Sequence, residues 1–232
     1  MAQYLVTGAN RGIGLEFVRQ LLARGERVIA ACRHTARASE LNRLSGQFPG
    51  HLKVLPLDVA EPRSIAELVR EVEMLDLSID VLINNAGVLT PGETFGEVDP
   101  KALGQAFATN AQGPFLLAQA LAPRLADRAR VVAISSGLGS IARATRFGTP
   151  SYNISKAALN MAMRMLGHAL AEREIAVLAL SPGWVKTDMG GEGAELEVEQ
   201  SVSNMLKVID ALAFDANAIG QFLANTGEPV PW

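Results

Sequence analysis

Short runs of β-branched and apolar residues alternate along this chain with longer stretches of helical period. This alternation constrains the fold more than any other feature, because it is typical of a parallel sheet covered by helices. Several of the runs are apolar almost throughout, as strands buried on both faces are. The seven runs are Gln3 to Thr7, Arg27 to Cys32, Leu52 to Leu57, Asp80 to Asn84, Arg130 to Ser135, Ala176 to Leu180 and a short last one near Phe222.

The stretches between these runs predict helices and complete the picture of the fold. They are Gly14 to Arg24, Arg63 to Leu75, Lys101 to Ala126 and Ser151 to Glu172. With right-handed crossovers they give an α/β fold, a doubly wound, seven-stranded, mostly parallel sheet with helices on both faces. Nothing in the 232 residues resembles a linker, so we predict a single domain over residues 1–232.

Composition excludes several classes of function. A net charge of −3 gives no electrostatic reason to bind nucleic acid, and no apolar run approaches the roughly 20 residues of a membrane span. The single Cys32 cannot form an intrachain disulfide, and no basic-then-apolar leader precedes Gln3. We therefore expect a soluble cytoplasmic protein with a small-molecule ligand, and we predict no metal site.

The first strand run leads directly into a glycine-rich turn, Thr7-Gly8-Ala9-Asn10-Arg11-Gly12-Ile13-Gly14, which opens a helix. Missing side chains let the backbone turn tightly and approach a pyrophosphate, while the helix N-terminus supplies free N–H groups. This context predicts a Rossmann-type, NAD(P)-binding site. The expected cofactor contacts are Gly8, Asn10, Arg11, Gly12, Ile13 and Gly14.

The end of the second strand run bears on which dinucleotide binds. NAD sites place an acid here for the ribose 2′-hydroxyl, whereas this chain has Arg33. Arg33, assisted by Arg11, is suited to a 2′-phosphate, which favours NADP(H) over NAD(H). The alternative is that both arginines are ordinary solvated residues.

Two further strand ends supply cofactor contacts. Asp58 and Val59 follow the third run, where the Asp58 side chain could accept from an adenine amino group or cap the next helix. After the fourth run, Asn85, Ala86 and Gly87 are compact enough for a ribose to lie against the backbone.

Taken together, the motifs resemble those of the short-chain dehydrogenase/reductase family. They are Thr7-Gly8-x-x-x-Gly12-x-Gly14, Asn84-Asn85-Ala86-Gly87, Asn110, Ser136, Tyr152-x-x-x-Lys156 and Pro182-Gly183. The segments Ser135 to Ile141 and Pro182 to Gly191, with the Pro-Trp terminus, resemble the C-factor and sniffer-type carbonyl reductase branch.

The chemistry of the residues agrees with what this resemblance implies. Residues four apart share a helix face, so Lys156 can hold its ammonium beside Tyr152 and a cofactor ribose. We expect the lysine and an oxidised nicotinamide to lower the pKa of Tyr152 from near 10. Tyr152 then acts as general acid in carbonyl reduction, and Ser136 hydrogen-bonds the substrate oxygen. Ser135 and Ser140 are the competing hydroxyls.

The resemblance implies roles for further residues. Asn110 would bind a water that links Lys156 to solvent, unless neighbouring backbone satisfies its side chain. Pro182, Gly183, Val185 and Thr187 would contact the nicotinamide, unless the Pro-Gly pair is a plain turn.

Two segments near the expected site depart from the pattern. Tyr152 follows Ser136 by 16 positions, a longer spacing than the family usually shows. The extra residues, 139–148, predict an enlarged loop that borders the substrate pocket. The glycine- and glutamate-rich segment 189–199, within an expected substrate loop at about 186–200, is interpreted either as a solvated mobile loop or as a lid.

The sequence thus predicts an NADPH-dependent oxidoreductase that reduces a small aldehyde or ketone to the alcohol. The alternative is an NAD(P)-binding regulatory or signalling protein of C-factor type with little turnover. An epimerase or dehydratase is disfavoured because the chain leaves no room for a separate substrate domain. Met161 and Met165 are suited to packing across a two-fold axis, in a homodimer or homotetramer, or to packing on the sheet.

Overall fold

A seven-stranded parallel sheet forms the centre of the protein, whose residues 1–232 are all described by a computed structural model. The order across the sheet is β3-β2-β1-β4-β5-β6-β7, which confirms the predicted doubly wound α/β fold. The strands are β1 (Gln3–Thr7), β2 (Arg27–Cys32), β3 (Leu52–Pro56), β4 (Ile79–Asn84), β5 (Leu125–Ile134), β6 (Ala176–Ser181) and β7 (Gln221–Ala224).

Seven α-helices cover the two faces of this sheet. They are α1 (Gly12–Ala23), α2 (Ser39–Gln47), α3 (Pro62–Met74), α4 (Pro100–Phe107), α5 (Gly113–Leu121), α6 (Pro150–Ala169) and α7 (Val198–Ala211). Helices α1, α2 and α7 contribute to the apolar core on one face, and α3, α5 and α6 to the core on the other. None of the helices combines the length and apolar character that a membrane crossing requires.

The long helix predicted over Lys101 to Ala126 is wrong in two respects. A π-helical turn at Ala108–Gln112 separates α4 from α5, and the last two predicted residues already belong to β5. At this break between α4 and α5, the backbone lies close to the residues after β3: a Cβ on Gly113 would lie 2.4 Å from the Val59 carbonyl oxygen. Close approach of backbone therefore accompanies the break.

Helices α2 and α7 were not predicted. Helix α2 buries only Leu41 and Leu44, so its apolar signal is weak. Helix α7 buries Val202, Met205, Leu206 and Ile209, which do have helical spacing, and it begins inside the segment interpreted as an irregular loop.

Helix α6 shows which of its methionines contribute to the core. Met163 is fully buried, whereas Met161 and Met165 are exposed, so these two do not pack on the sheet.

The parallel arrangement brings the expected site residues together. Every strand has its carboxyl end at the same edge, and ligands of open α/β sheets bind outside that edge, where the strand order reverses. Here the order reverses between β1 and β4. The turns after β1 through β6 carry the glycines, Arg33, Asp58, Asn85, Ser136 and Pro182 in succession.

Candidate active site

The turn between β1 and α1 is built to approach a ligand closely. Gly8 and Gly12 have φ values of +63° and +52°, a region that favours glycine. A Cβ on Gly14 would lie 2.3 Å from the Gly8 carbonyl oxygen, so a glycine is also required where the helix meets the turn. Arg11, the N-cap residue of α1, makes no capping hydrogen bond with its side chain. The first amides of α1 are therefore available to an anion.

Asn85 fixes this turn from the neighbouring strand end. Its side-chain Nδ2 donates to the carbonyl oxygens of Thr7 and Gly8, at 2.9 and 3.2 Å. In return the Thr7 hydroxyl accepts from the backbone amides of Asn85 and Ala86, each at 3.0 Å. The structure shows that Asn85 holds the glycine turn, and its expected contact with a ribose stays a prediction.

A continuous cleft of about 320 Å³ runs from this turn to the end of β5. Every predicted site residue lines it except Gly14 and Asn110, which lie behind its wall. Gly14 packs against Gly8, and Asn110 is fully buried.

Arginines mark one end of the cleft. Arg33 is exposed there and takes part in none of the ion pairs of the structure. Arg11, by contrast, forms an ion pair with Asp188, with 3.0 Å between Nη1 and Oδ2. Of the two arginines expected at a 2′-phosphate, only Arg33 is without a carboxylate partner.

Asp58 closes the turn before α3 and does not cap the helix itself. Its Oδ1 accepts from the amide of Ala60 at 3.1 Å, and its own amide donates to the Ser64 hydroxyl at 2.9 Å. The N-cap residue of α3 is Glu61. Asp58 still lines the cleft, so the contact with an adenine remains a prediction.

Tyr152 and Lys156 lie at the other end of the cleft, both almost fully buried in the first turns of α6. Lys156 Nζ donates to the carbonyl oxygen of Ile134 at 2.7 Å and lies 5.5 Å from the centre of the Tyr152 ring. Burial lowers the pKa of Lys156 from 10.5 to about 8.

Burial determines the direction in which the pKa of Tyr152 is shifted. Burial raises it from 10.0 to about 12, and an interaction with the Ser136 hydroxyl only partly opposes the shift. The lowering expected from Lys156 together with an oxidised nicotinamide stays a prediction; in the protein itself, removal of the phenolate from water is the largest influence on this pKa. The phenol consequently keeps its proton at neutral pH.

Of the three candidate serines, only Ser136 presents its hydroxyl to Tyr152. Ser135 is buried and donates to Asn160 Oδ1 at 2.6 Å, and Ser140 donates to the Pro231 carbonyl oxygen at 2.6 Å. Ser136 is half-buried, accepts from the Leu138 amide at 3.1 Å and lines the cleft. The geometry therefore favours Ser136 as the residue that would hold a substrate oxygen.

Asn110 lies in the π-helical turn, where its side chain is already committed. Oδ1 accepts from the Val88 amide at 2.8 Å, while Nδ2 donates to the Val88 carbonyl oxygen at 2.8 Å and to Ser155 Oγ at 2.9 Å. Both side-chain N–H groups are thus used. This arrangement matches the alternative in which neighbours satisfy the side chain, and a role in a proton relay stays a prediction.

The loop formed by residues 139–148 lies away from the cleft. No residue of 139–148 lines the cleft, so the predicted border of the pocket is wrong for this loop. It packs instead against the end of the chain, where the Ala142 amide donates to the Trp232 carbonyl oxygen at 2.8 Å.

The segment after Trp184 is a closed loop that folds back on itself. The Lys186 amide donates to the Leu196 carbonyl oxygen at 2.9 Å, and the Leu196 amide to that of Trp184 at 3.1 Å. Thr187 and Gly190 from this loop line the cleft. Its position suits a wall over the ligand better than a purely solvated loop.

Several cleft residues were missed by reasoning from the sequence. They are mainly apolar: Val88, Leu89, Leu138 and Met189. Trp184 also lines the cleft. The indole is 55% exposed, and its Nε1 donates to the Gly190 carbonyl oxygen at 2.9 Å.

The fold and this cleft define an oxidoreductase with a nucleotide site and a Ser-Tyr-Lys group at opposite ends of one groove. Comparison with known sequences agrees: the profile of the short chain dehydrogenase family matches residues 3–197. The chain belongs to this family.

Particular relatives extend the comparison. The C-signal protein of Myxococcus xanthus is 42% identical over 156 residues, which are 66% of this chain and 93% of that protein. The carbonyl reductase Sniffer of D. melanogaster superposes with a TM-score of 0.94 at 33% identity, over 100% of both chains. An NADPH-bound carbonyl reductase from chicken fatty liver gives 0.92 at 38% identity, over 100% of this chain and 99% of the other. These similarities confirm the family resemblance found in the motifs, including its C-factor and sniffer-type branch.

Proposed function

We propose that the protein is an NADPH-dependent reductase that converts a small aldehyde or ketone to the alcohol. The observation that carries this proposal is the single cleft joining a free arginine, Arg33, to Ser136, Tyr152 and Lys156. One end can recognise a phosphorylated ribose, and the other can handle a proton at a carbonyl oxygen.

The residues of the cleft fit NADP(H). The glycine turn and the first amides of α1 would hold the pyrophosphate, Arg33 the 2′-phosphate, and Asp58 and Val59 the adenine. Towards the other end, Asn85, Ala86, Gly87, Tyr152 and Lys156 would contact ribose, and Pro182, Gly183, Val185 and Thr187 the nicotinamide. When bound, the cofactor supplies a hydride.

The remaining chemistry is a proton transfer by the side chains. Ser136 would donate a hydrogen bond to the carbonyl oxygen and stabilise the negative charge that develops on it. Tyr152, whose phenol carries its proton at neutral pH, would give that proton to the same oxygen. Lys156 Nζ, held by the Ile134 carbonyl oxygen, would stabilise the tyrosinate left behind.

The apolar residues around Tyr152 bear on the substrate. Leu138, Trp184 and Met189 are each about half exposed and line the cleft. Trp184 is fixed in orientation by its hydrogen bond to Gly190. Such a wall favours a carbonyl group on an apolar frame. The carbonyl reductases that superpose on this chain, one of them with NADPH bound, support the proposal.

The test is oxidation of NADPH, compared with NADH, over a panel of aldehydes, ketones, quinones and α-dicarbonyls. Tyr152→Phe should lower kcat by at least about 100-fold, since it removes the proton donor, while NADPH still binds.

Arg33→Ala should reduce kcat/KM for NADPH about 10- to 100-fold and leave that for NADH unchanged, as expected for loss of a charged hydrogen bond. Preference for NADH in the unaltered protein would contradict the assignment of Arg33.

A second function is favoured by the 42% identity to the C-signal protein. In it, occupancy of the nucleotide site matters for regulation or signalling, and turnover is small. Tyr152→Phe separates the two functions: a variant that retains biological activity without turnover would support the regulatory role. The arrangement of Ser136, Tyr152 and Lys156 favours the reductase, because binding alone does not need a proton donor.

A further inference from the structure

Helix α6 carries Tyr152 and Lys156, yet the residue at its N-cap position does not cap it. Thr149 adopts the left-handed conformation, with φ 42° and ψ 53°, and makes no capping hydrogen bond to the helix amides. Its hydroxyl is bonded to Asn153 Oδ1 at 3.1 Å instead. No acidic residue occurs in the first turn of α6. The helix therefore depends on another part of the chain to satisfy its first amides.

Glu93 performs this task from 58 residues away in the sequence. Its Oε2 accepts from the Ser151 amide at 3.2 Å, and its Oε1 accepts from the Ser151 hydroxyl. Ser151 is fully buried and directly precedes Tyr152. A carboxylate at this position also lies at the positive end of the helix dipole.

The segment that carries Glu93 is itself fixed to the site. At Val88, both its amide and its carbonyl oxygen are bonded to the side chain of Asn110, which also donates to Ser155 in α6. Beyond Glu93, the ring of Phe95 meets that of Phe147 edge-to-face, with 5.6 Å between ring centres. This segment thus contacts α6 directly at Glu93 and the loop before α6 at Phe95, and it is linked to α6 at Val88 through Asn110.

This segment also forms part of the cleft. Val88 and Leu89 line it on the side of Tyr152. Any movement of residues 88–93 relative to α6 would therefore change the distance between the cleft wall and the Tyr152 phenol. The contact that opposes such movement most directly is the double hydrogen bond between Glu93 and Ser151.

We propose that Glu93 is a positioning residue for the reaction: by holding Ser151 it sets the first turn of α6, and with it the Tyr152 hydroxyl, against Ser136 and the part of the cleft wall formed by Val88 and Leu89. The proposal rests on the reductase function proposed above. Glu93 does not line the cleft, so it acts through Ser151 and the helix. Its expected signature is therefore a loss in kcat with little change in the binding of either ligand.

The experiment compares Glu93→Gln with Glu97→Gln. Glu97 lies in the same loop, and its carboxylate accepts only from the Thr94 hydroxyl, at 3.0 Å, so it is a matched control. Glu93→Gln should lower kcat about 10- to 100-fold, as small misplacements of reacting groups do, with KM and the NADPH Kd within about twofold of wild type. Glu97→Gln should match the wild type in all three.

A double-mutant cycle with Ser151→Ala tests the proposed route. If Glu93 acts through Ser151, the losses in kcat of the two single variants should add up to more than the loss in the double variant, since Ser151→Ala removes the hydroxyl that donates to Glu93 while the Ser151 amide remains. Hydrogen exchange provides a readout that needs no turnover: the amides of residues 151–153 should exchange faster in Glu93→Gln than in Glu97→Gln.

The outcomes separate this proposal from the reductase function. Turnover in the wild type with an unchanged kcat in Glu93→Gln, or additive losses in the cycle, would overturn the role of Glu93 and leave the function intact. Absence of turnover in the wild type over the whole panel would overturn the reductase function and the positioning role with it.

Discussion

At the scale of single residues, burial decides the chemistry of the cleft. The spacing of Tyr152 and Lys156 and the basic character of Arg33 follow from the sequence. The direction of the Tyr152 shift does not, because it depends on how completely α6 removes the phenol from water. The structure likewise separates Ser136 from Ser135 and Ser140, which look alike in the sequence but differ in hydrogen-bond partners.

Lys156 illustrates the cost of a buried site. Lowering its pKa from 10.5 to about 8 corresponds to about 3 kcal/mol of destabilisation at pH 7. Lys156→Met removes this cost but also the hydrogen bond to Ile134, worth about 1 kcal/mol. We expect the variant to be more stable by about 2 kcal/mol at pH 7 in urea unfolding, and to lose reductase turnover.

The pH dependence gives the control for this prediction. Between pH 8 and 10 the unfolded chain keeps the Lys156 proton that the folded protein has lost, so the folded state gains stability as pH rises. The unfolding free energy of the wild type should therefore approach that of Lys156→Met over this range. A difference that stays constant from pH 7 to 10 would contradict the assigned cause.

At the scale of secondary-structure elements, the sequence was most informative for the strands. Their positions were predicted closely, except that β5 begins at Leu125, five residues before the predicted start at Arg130. Helix α7 has amphipathic spacing in the sequence, but the glycines and glutamates just before it favour a loop. The π-helical turn could not be anticipated, since it reflects packing of α5 against residues after β3.

In the loop from Trp184 to Leu196, the backbone leaves no room for a side chain at Gly190. A Cβ on Gly190 would lie 2.0 Å from the Val185 carbonyl oxygen, whereas one on Gly193 would lie 3.6 Å from the Trp184 ring, an ordinary contact. Gly190→Ala should displace the loop and raise KM for the carbonyl substrate about tenfold or more. Gly193→Ala should behave as wild type, and steady-state kinetics of the two variants checks the comparison. Equal KM values would show that this loop does not shape the substrate site.

At the scale of the whole molecule, two distant parts of the chain meet across the cleft. Arg11 from the glycine turn pairs with Asp188 from the loop after β6, and a Cβ on Gly12 would lie 3.5 Å from Thr187 Cγ2. This meeting was not predicted, because Arg11 was assigned to the cofactor and Asp188 to no role. Sequence motifs identify residues one at a time, so they do not show that Asp188 and a cofactor phosphate compete for Arg11.

The competition between Asp188 and the cofactor phosphates for Arg11 can be measured. Both side chains of the pair are mostly exposed, so the pair itself contributes little to stability. Asp188→Asn should free Arg11 for the cofactor phosphates, lowering the NADPH Kd about two- to fivefold at low salt with the melting temperature unchanged. Glu192→Gln, in the same loop and without an ion pair, is the control. Weaker NADPH binding in Asp188→Asn would mean that the pair holds the cleft in its binding shape.

The hydrogen bonds from Asn85 to the glycine turn have a consequence for how the protein is made. These bonds join residues 77 and 78 positions apart, and β1 acquires its second neighbour only when β4 pairs with it. A chain emerging from the ribosome therefore carries its nucleotide-binding turn unfinished until residue 85 has been synthesised and placed. Because parallel neighbours require such distant contacts, folding should be slow relative to a helical protein of this size. The cofactor can then act only on the assembled sheet, as a ligand that stabilises the product of folding and not as a template for its early steps.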